Sequence, residues 1–173
     1  NGKNGVLKSY TSSNKGNFNF INEVNSNGAG PCHVQLNKDN NKIVVSNYGG
    51  GTIAIYNVLK NGALSNIPQV FNHNISNNKA HAHSAKFFKN NLFASDLGRD
   101  YLAHYTLNSK GKYTLKKEIL MKQNAGPRHF EISKKGKFIY VINELNSTVS
   151  VLKNNNNNYF NIQNISTLEA NYK

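Results

Sequence analysis

The sequence has one cysteine, Cys32, three prolines, one methionine and no tryptophan. A lone thiol excludes an internal disulfide framework and a zinc site built from several thiolates. Acidic residues are scarce as well, 8 against 21 Lys and Arg, for a net charge of +13. No apolar run approaches the roughly 18 residues that a membrane helix needs, so we expect no membrane span. No basic stretch followed by an apolar one opens the chain, so no signal peptide is read there. The first residue is Asn1 rather than Met, and we expect the true N-terminus to lie upstream. The reading is a cytoplasmic protein. The chain has 173 residues, 38% of them hydrophobic. That is the length of one domain, at the polar end of the globular range.

A positive charge this large invites nucleic acid as a partner, and the composition argues against it. There are 19 Lys, only two Arg (Arg99 and Arg128) and 33 Asn, the pattern of a coding sequence rich in A and T. The lysines scatter through turns, whereas a readout surface clusters Arg with stacking aromatics. A positive field serves better to attract a small anion.

The sequence repeats itself, and the repeat decides the architecture. One register aligns GPCHVQL from Gly30, HAHSAKF from His81 and GPRHFEI from Gly126. We take its histidines as His33, His83 and His129, spaced by 50 and 46 residues. A second register places Asn47, Asp96 and Asn143 in one column, 49 and 47 residues apart. A third aligns NFNFINEV, ALSNIPQV, KYTLKKEI and YFNIQNIS, from Asn17, Ala63, Lys112 and Tyr159.

Each unit reads as four short strands rich in Val, Ile, Tyr and Phe between Asn, Gly and Lys turns. In the first unit these are Cys32–Leu36, Lys42–Ser46, Thr52–Val58 and Leu64–Phe71. No stretch holds a 3.6-residue apolar period over three turns, so no helix is expected. Four antiparallel strands recurring every 46 to 50 residues predict an all-β chain, a β-propeller with one sheet per blade. The expected units are a half blade at 1–27 and blades at about 30–75, 81–123 and 126–168. Propellers close with four to eight blades. The chain therefore reads as part of a ring, with open faces covered by remaining blades of its own chain or by self-association.

The motifs GPCH (Gly30–His33), SNYGGG (Ser46–Gly51), HAHS (His81–Ser84), SDLG (Ser95–Gly98), GPRH (Gly126–His129) and NELNSTVSV (Asn143–Val151) resemble the lactonase family of seven-bladed β-propellers. That family includes propeller-type 6-phosphogluconolactonases and carboxymuconate-lactonizing enzymes. The resemblance runs over essentially the whole chain and implies about three and a half blades of seven. It implies hydrolysis of a sugar lactone, with 6-phosphogluconolactone as substrate, and no cofactor. It also makes Arg128 and Glu144 active-site residues. The tail from Ser166 resembles the linker before a next blade. Two departures stand out: Arg99, where the family has a smaller residue, and the Asn154–Asn158 run, read as a low-complexity insertion.

The residues themselves support an anionic ester or lactone as substrate. First strands line a propeller's channel, so His33, His83, Arg128 and His129 should converge at one mouth. The turn after each second strand should bring Asn47, Asp96, Asn143 and Glu144 to the same end. Arg128 offers a planar, permanently charged fork for a carboxylate, phosphate or oxyanion. Glu144 or His83 would act as base on water. His33, His81, His129, Asn47, Asp96 and Asn143 are the expected substrate contacts. His81 and His83 share a strand face and could suit a metal, which would need His33 or His129 as a further ligand. We expect none. Cys32 is read as buried filler, facing away from His33. A lactonizing or cycloisomerase reaction on a carboxylated diene, and a non-catalytic binding platform, remain open alternatives. Residues 1–173 expressed alone should aggregate or pair and be weakly active, because blade faces bury only against neighbours. Light scattering and thermal unfolding check this, and a monodisperse, active monomer would contradict it.

Overall fold

The computed structural model describes residues 5–76 and 79–169; the start of the expected half blade and the end of the linker-like tail lie outside them. Fourteen strands form among the described residues. β1 (Val6–Ser12) and β2 (Phe18–Asn25) make a two-stranded sheet. β3 (Pro31–Leu36), β4 (Lys42–Asn47), β5 (Thr52–Asn57) and β6 (Gln69–Asn72) make the first four-stranded sheet. The second holds β7 (Ala82–Phe88), β8 (Asn91–Asp96), β9 (Tyr101–Leu107) and β10 (Tyr113–Leu120). The third holds β11 (Pro127–Ile132), β12 (Phe138–Asn143), β13 (Thr148–Asn155) and β14 (Asn158–Ser166). Each sheet is an antiparallel meander. β3 packs beside β7, and β7 beside β11. These are the innermost strands of adjoining propeller blades.

Period-2 alternation divides each middle strand between two neighbours. On β8, Leu92 and Ala94 join Val44, Ile53 and Ile55 of the preceding blade, while Phe93 turns to Phe130, Ile139 and Leu152 of the next. On β4, Val45 faces Leu7 and Val24 of the two-stranded sheet. The last sheet has no such neighbour among the described residues, and its Tyr140 and Ile142 stay exposed.

Side-chain amides clasp one outer strand to the next. Asn22 donates to Leu64 O at 2.9 Å and accepts the Leu64 N–H at 3.0 Å. Gln69 does the same to Tyr113, at 2.6 and 3.0 Å. Each clasp completes a backbone that no strand covers. The first clasp falls where a longer outer strand was expected. Leu64 makes only an isolated bridge to Val58, and β6 is confined to Gln69–Asn72. Pro68 lacks the N–H that a continuous ladder needs.

The asparagine run also differs from expectation. Asn156 and Asn157 take φ of 50° and 62°, the left-handed pair of a two-residue hairpin turn that asparagine tolerates well. Asn155 pairs with Asn158 across it, and the Asn154 amide donates to Gly136 O at 3.0 Å. The run is the β13–β14 turn itself.

Phe93 is fully buried, stacked on His104 at 4.5 Å and set edge-on to Tyr159 at 5.2 Å. Phe93→Ala should cost about 3–5 kcal/mol of unfolding free energy, as expected for a large aromatic lost from a packed core. Urea denaturation checks this, and a loss below about 1 kcal/mol would mean that the two blades do not share this core.

Candidate active site

All three innermost strands carry the same irregularity. Pairing slips by one residue between Pro31 and His33, between Ala82 and Ser84, and between Pro127 and His129. The residue bulged out of each ladder is Cys32, His83 or Arg128. A bulge re-aims its side chain and is over-represented beside active sites. This corrects the expected histidine column: His83 shares its place with Cys32 and Arg128, and Ser84 is the partner of His33 and His129. The bulged residues are 51 and 45 residues apart, one more and one less than the histidine spacings of 50 and 46.

A second frame position recurs beside the first. Tyr48, Leu97 and Glu144 donate their backbone N–H to the carbonyls of Gly30, His81 and Gly126, at 2.9, 3.0 and 2.8 Å. The loop entering the third blade is tied down by Asp100, whose carboxylate accepts from the N–H of Asn124 and Gly126 at 2.7 and 2.8 Å. One backbone frame thus holds different chemistry in each blade.

Arg128 joins two of those blades. Its Nε–H donates to His83 Nε2 at 3.0 Å, and the same nitrogen is ion-paired with Glu144 Oε2 at 2.7 Å. Guanidinium only donates, so His83 Nε2 presents its lone pair and the ring proton sits on Nδ1, an assignment made from this bond. His83 Nδ1 is buried without a partner among the described residues. The two terminal nitrogens of Arg128 bond no protein acceptor among those residues. About half of both the Arg128 and the Glu144 side chain is exposed. A cleft of about 290 Å³ opens here, with Arg128, His129, Glu144, Ser147 and Thr167 on its walls. A neighbouring hollow against Phe130, Tyr140 and Val149 is almost wholly apolar and suits blade packing rather than chemistry.

The histidines gather around this cation in neutral form. Burial, helped by the His129 and Lys86 charges, pushes His33 down to about 4. Burial first and Arg128 second lower both His83 and His129. The His129 ring lies 4.9 Å from His83 and 6.3 Å from His33. His33 Nδ1 accepts the Ala85 N–H of the next blade at 3.4 Å, a structural bond. His81 stacks on Tyr48 at 4.5 Å.

Three expected substrate contacts turn inward instead. Asn47 is fully buried, donating to Ser26 O at 2.8 Å and Thr52 Oγ1 at 3.0 Å. Asn143 is buried against Thr148 and Ser150, both at 2.9 Å. Asp96 Oδ1 accepts the N–H of His81, Gly98 and Arg99, and its Oδ2 lies 2.9 Å from His73 Nδ1. These residues pair with Pro31, Ala82 and Pro127 across the ladder, so their amide and carboxylate groups build the turns; of the three, only Asn143 borders the cleft.

The other departures have plain roles. Arg99 forks onto Glu118 at 3.2 Å and donates to His73 O at 2.8 Å, bracing two blades. Cys32 is exposed as a residue, contrary to the reading as buried filler. Its Sγ nonetheless lies 3.2 Å from His83 O, and burial of that sulfur pushes the thiol pKa up. Alternation fails for it because it sits in the bulge. Sequence reasoning missed Tyr48 and Lys86. Lys86 pairs with Glu131 deeper along the innermost strands, and only its place two residues past Ser84 could have signalled it.

Comparison with known proteins agrees with this architecture. A family profile described as "Lactonase, 7-bladed beta-propeller" matches residues 1–173. A protein of Formosa agariphila described as 6-phosphogluconolactonase is 31% identical over 150 residues, 80% of this chain and 42% of that protein. One of Bacillus subtilis with the same description is 31% identical over 161 residues, 89% of this chain and 46% of that protein. The solved structure of a Pseudomonas aeruginosa periplasmic gluconolactonase superposes with a TM-score of 0.86 at 25% identity, covering 98% of this chain and 52% of that one. The chain spans about half the length of the curated relatives it matches.

The electrostatic coupling is measurable. Arg128→Ala should move the titration midpoints of His83 and His129 upward, toward the ordinary 6.5, because one cause of their depression is gone. Ring-proton NMR between about pH 4 and about pH 8 reads this directly. Midpoints that stay in place would mean that the guanidinium is not felt by either ring.

Proposed function

The chain belongs to the lactonase family of seven-bladed β-propellers, and from that premise we propose that the protein hydrolyses a sugar lactone, 6-phosphogluconolactone, to its hydroxy acid. The observation that carries the proposal is Arg128 on the wall of the cleft, hydrogen-bonded to His83 and ion-paired with Glu144, with its terminal N–H groups bonded to no protein acceptor among the described residues. The two relatives described as 6-phosphogluconolactonases support the substrate.

In this mechanism Glu144 takes a proton from water as it attacks the lactone carbonyl. Arg128 binds the oxyanion of the tetrahedral intermediate. The ring C–O bond then breaks, and the leaving oxygen takes the proton back from Glu144, so that lactone and water give one hydroxy acid. His83 is assigned as a positioning residue rather than the base, since its Nε2 lone pair is spent on Arg128. His129, on the cleft wall, and His81, stacked on Tyr48, are assigned as substrate contacts. We propose the cytoplasm as the compartment on the phosphorylated substrate; the similar Pseudomonas structure is described as periplasmic. No helix among the described residues is long and apolar enough to cross a membrane. The open blade faces are assigned to further blades of the ring or to a second copy.

Full-length protein, treated with EDTA, should accelerate lactone opening well above the spontaneous rate. Glu144→Gln should lower kcat by about 10²–10⁴-fold, the usual worth of a positioned acid–base. Arg128→Ala should lower kcat/KM by about 10²–10³-fold, as for loss of an oxyanion donor. No acceleration by the wild type would end the hydrolase reading.

A further inference from the structure

We propose that Tyr48, backed by His81, is the stacking platform for the substrate's sugar ring and so determines specificity; this rests on the lactonase reading above. Tyr48 occupies the same frame position as Glu144, one blade away on each side of His83. The equivalent residue in the blade between them, Leu97, is buried and does core work. Tyr48 instead keeps 37% of its surface exposed, and its hydroxyl makes no hydrogen bond among the described residues. Packing alone gives no reason for an aromatic ring at this place.

The ring is held rather than loose. It stacks on His81 at 4.5 Å and 22°, and the His81 imidazole Nδ1 lies 3.0 Å from Tyr48 O. The His81 N–H donates to Asp96 at 2.9 Å. Gly98 lets that imidazole lie close: a Cβ there would stand 2.8 Å from His81 Cδ2. The edge of Tyr48 meets His83 at 5.8 Å, and His83 carries Arg128. An aromatic face and an anion fork therefore share one histidine as a common wall. A phosphorylated sugar lactone has the two matching ends. Its anionic group and carbonyl oxygen suit Arg128, and the C–H face of its ring suits the negative face of an aromatic.

The test is steady-state kinetics on full-length protein with 6-phosphogluconolactone, comparing wild type, Tyr48→Ala and Tyr48→Phe. An aromatic pair contributes enough that Tyr48→Ala should raise KM about 3- to 10-fold with kcat within about twofold. Tyr48→Phe keeps the face and should leave KM unchanged. Thermal unfolding of both variants separates a lost platform from a lost fold. If Tyr48→Ala leaves KM at the wild-type value, or if Tyr48→Phe loses as much as Ala, the platform is overturned while hydrolysis stands. If the wild type itself shows no activity, the lactonase reading falls instead.

Discussion

The one-residue slip in each innermost strand is the constraint on which the site depends. A regular ladder would send Cys32, His83 and Arg128 into alternate faces with their neighbours. The bulge frees each from its pairing, while Pro31, Ala82 and Pro127 keep their partners Asn47, Asp96 and Asn143. An extra residue of this kind costs ladder hydrogen bonds. The backbone bonds from Tyr48, Leu97 and Glu144 back to the preceding loop offset that cost. The frame is thus the same three times, and only the side chains mounted on it differ: a thiol, an imidazole and a guanidinium at one place, a phenol, a leucine and a carboxylate at the other.

Blade-to-blade packing keeps these mountings at fixed distances. The apolar faces do most of it, with Phe93 on one side of its sheet and Leu92 on the other. Polar devices add direction. The Asn22 and Gln69 amides imitate a missing strand, and Asp96 gathers three N–H groups and His73 at the head of the second blade. A carboxylate so fully bonded in a buried place organises structure and has nothing left for a ligand. That is why an acidic residue at the channel end, which looks functional in the sequence, is architectural here, while Glu144 in an open turn is available.

Electrostatics distinguishes the site from the rest of a very basic surface. Arg128 is permanently charged, and burial together with its presence keeps His83 and His129 neutral. Neutral imidazoles beside a fixed cation preserve an acceptor at His83 Nε2. A protonated ring there would repel the guanidinium and release it from Glu144. The lysines that find partners do so singly, Lys8 on Glu23, Lys42 on Asn57, Lys86 on Glu131 and Lys116 on Asn157 O.

The sequence alone determined the architecture, because four strands every 46 to 50 residues leave a sheet that can bury its faces only against copies of itself. It also brought Arg128, Glu144 and His83 forward as one group, through the expected convergence of adjoining blades, with the rarity of arginine and acid making the first two conspicuous. Tertiary structure decided the rest. Repeat spacing cannot reveal a bulge, so it placed His83 in the column of His33 and turned Cys32 inward. It cannot separate a buried carboxylate from an open one: Asp96 and Glu144 stand in neighbouring columns of the repeat, and only the fold buries the first and leaves the second half exposed. Nor can it mark Tyr48, whose neighbour in contact, His81, lies 33 residues away and meets it only when one blade is packed against the next.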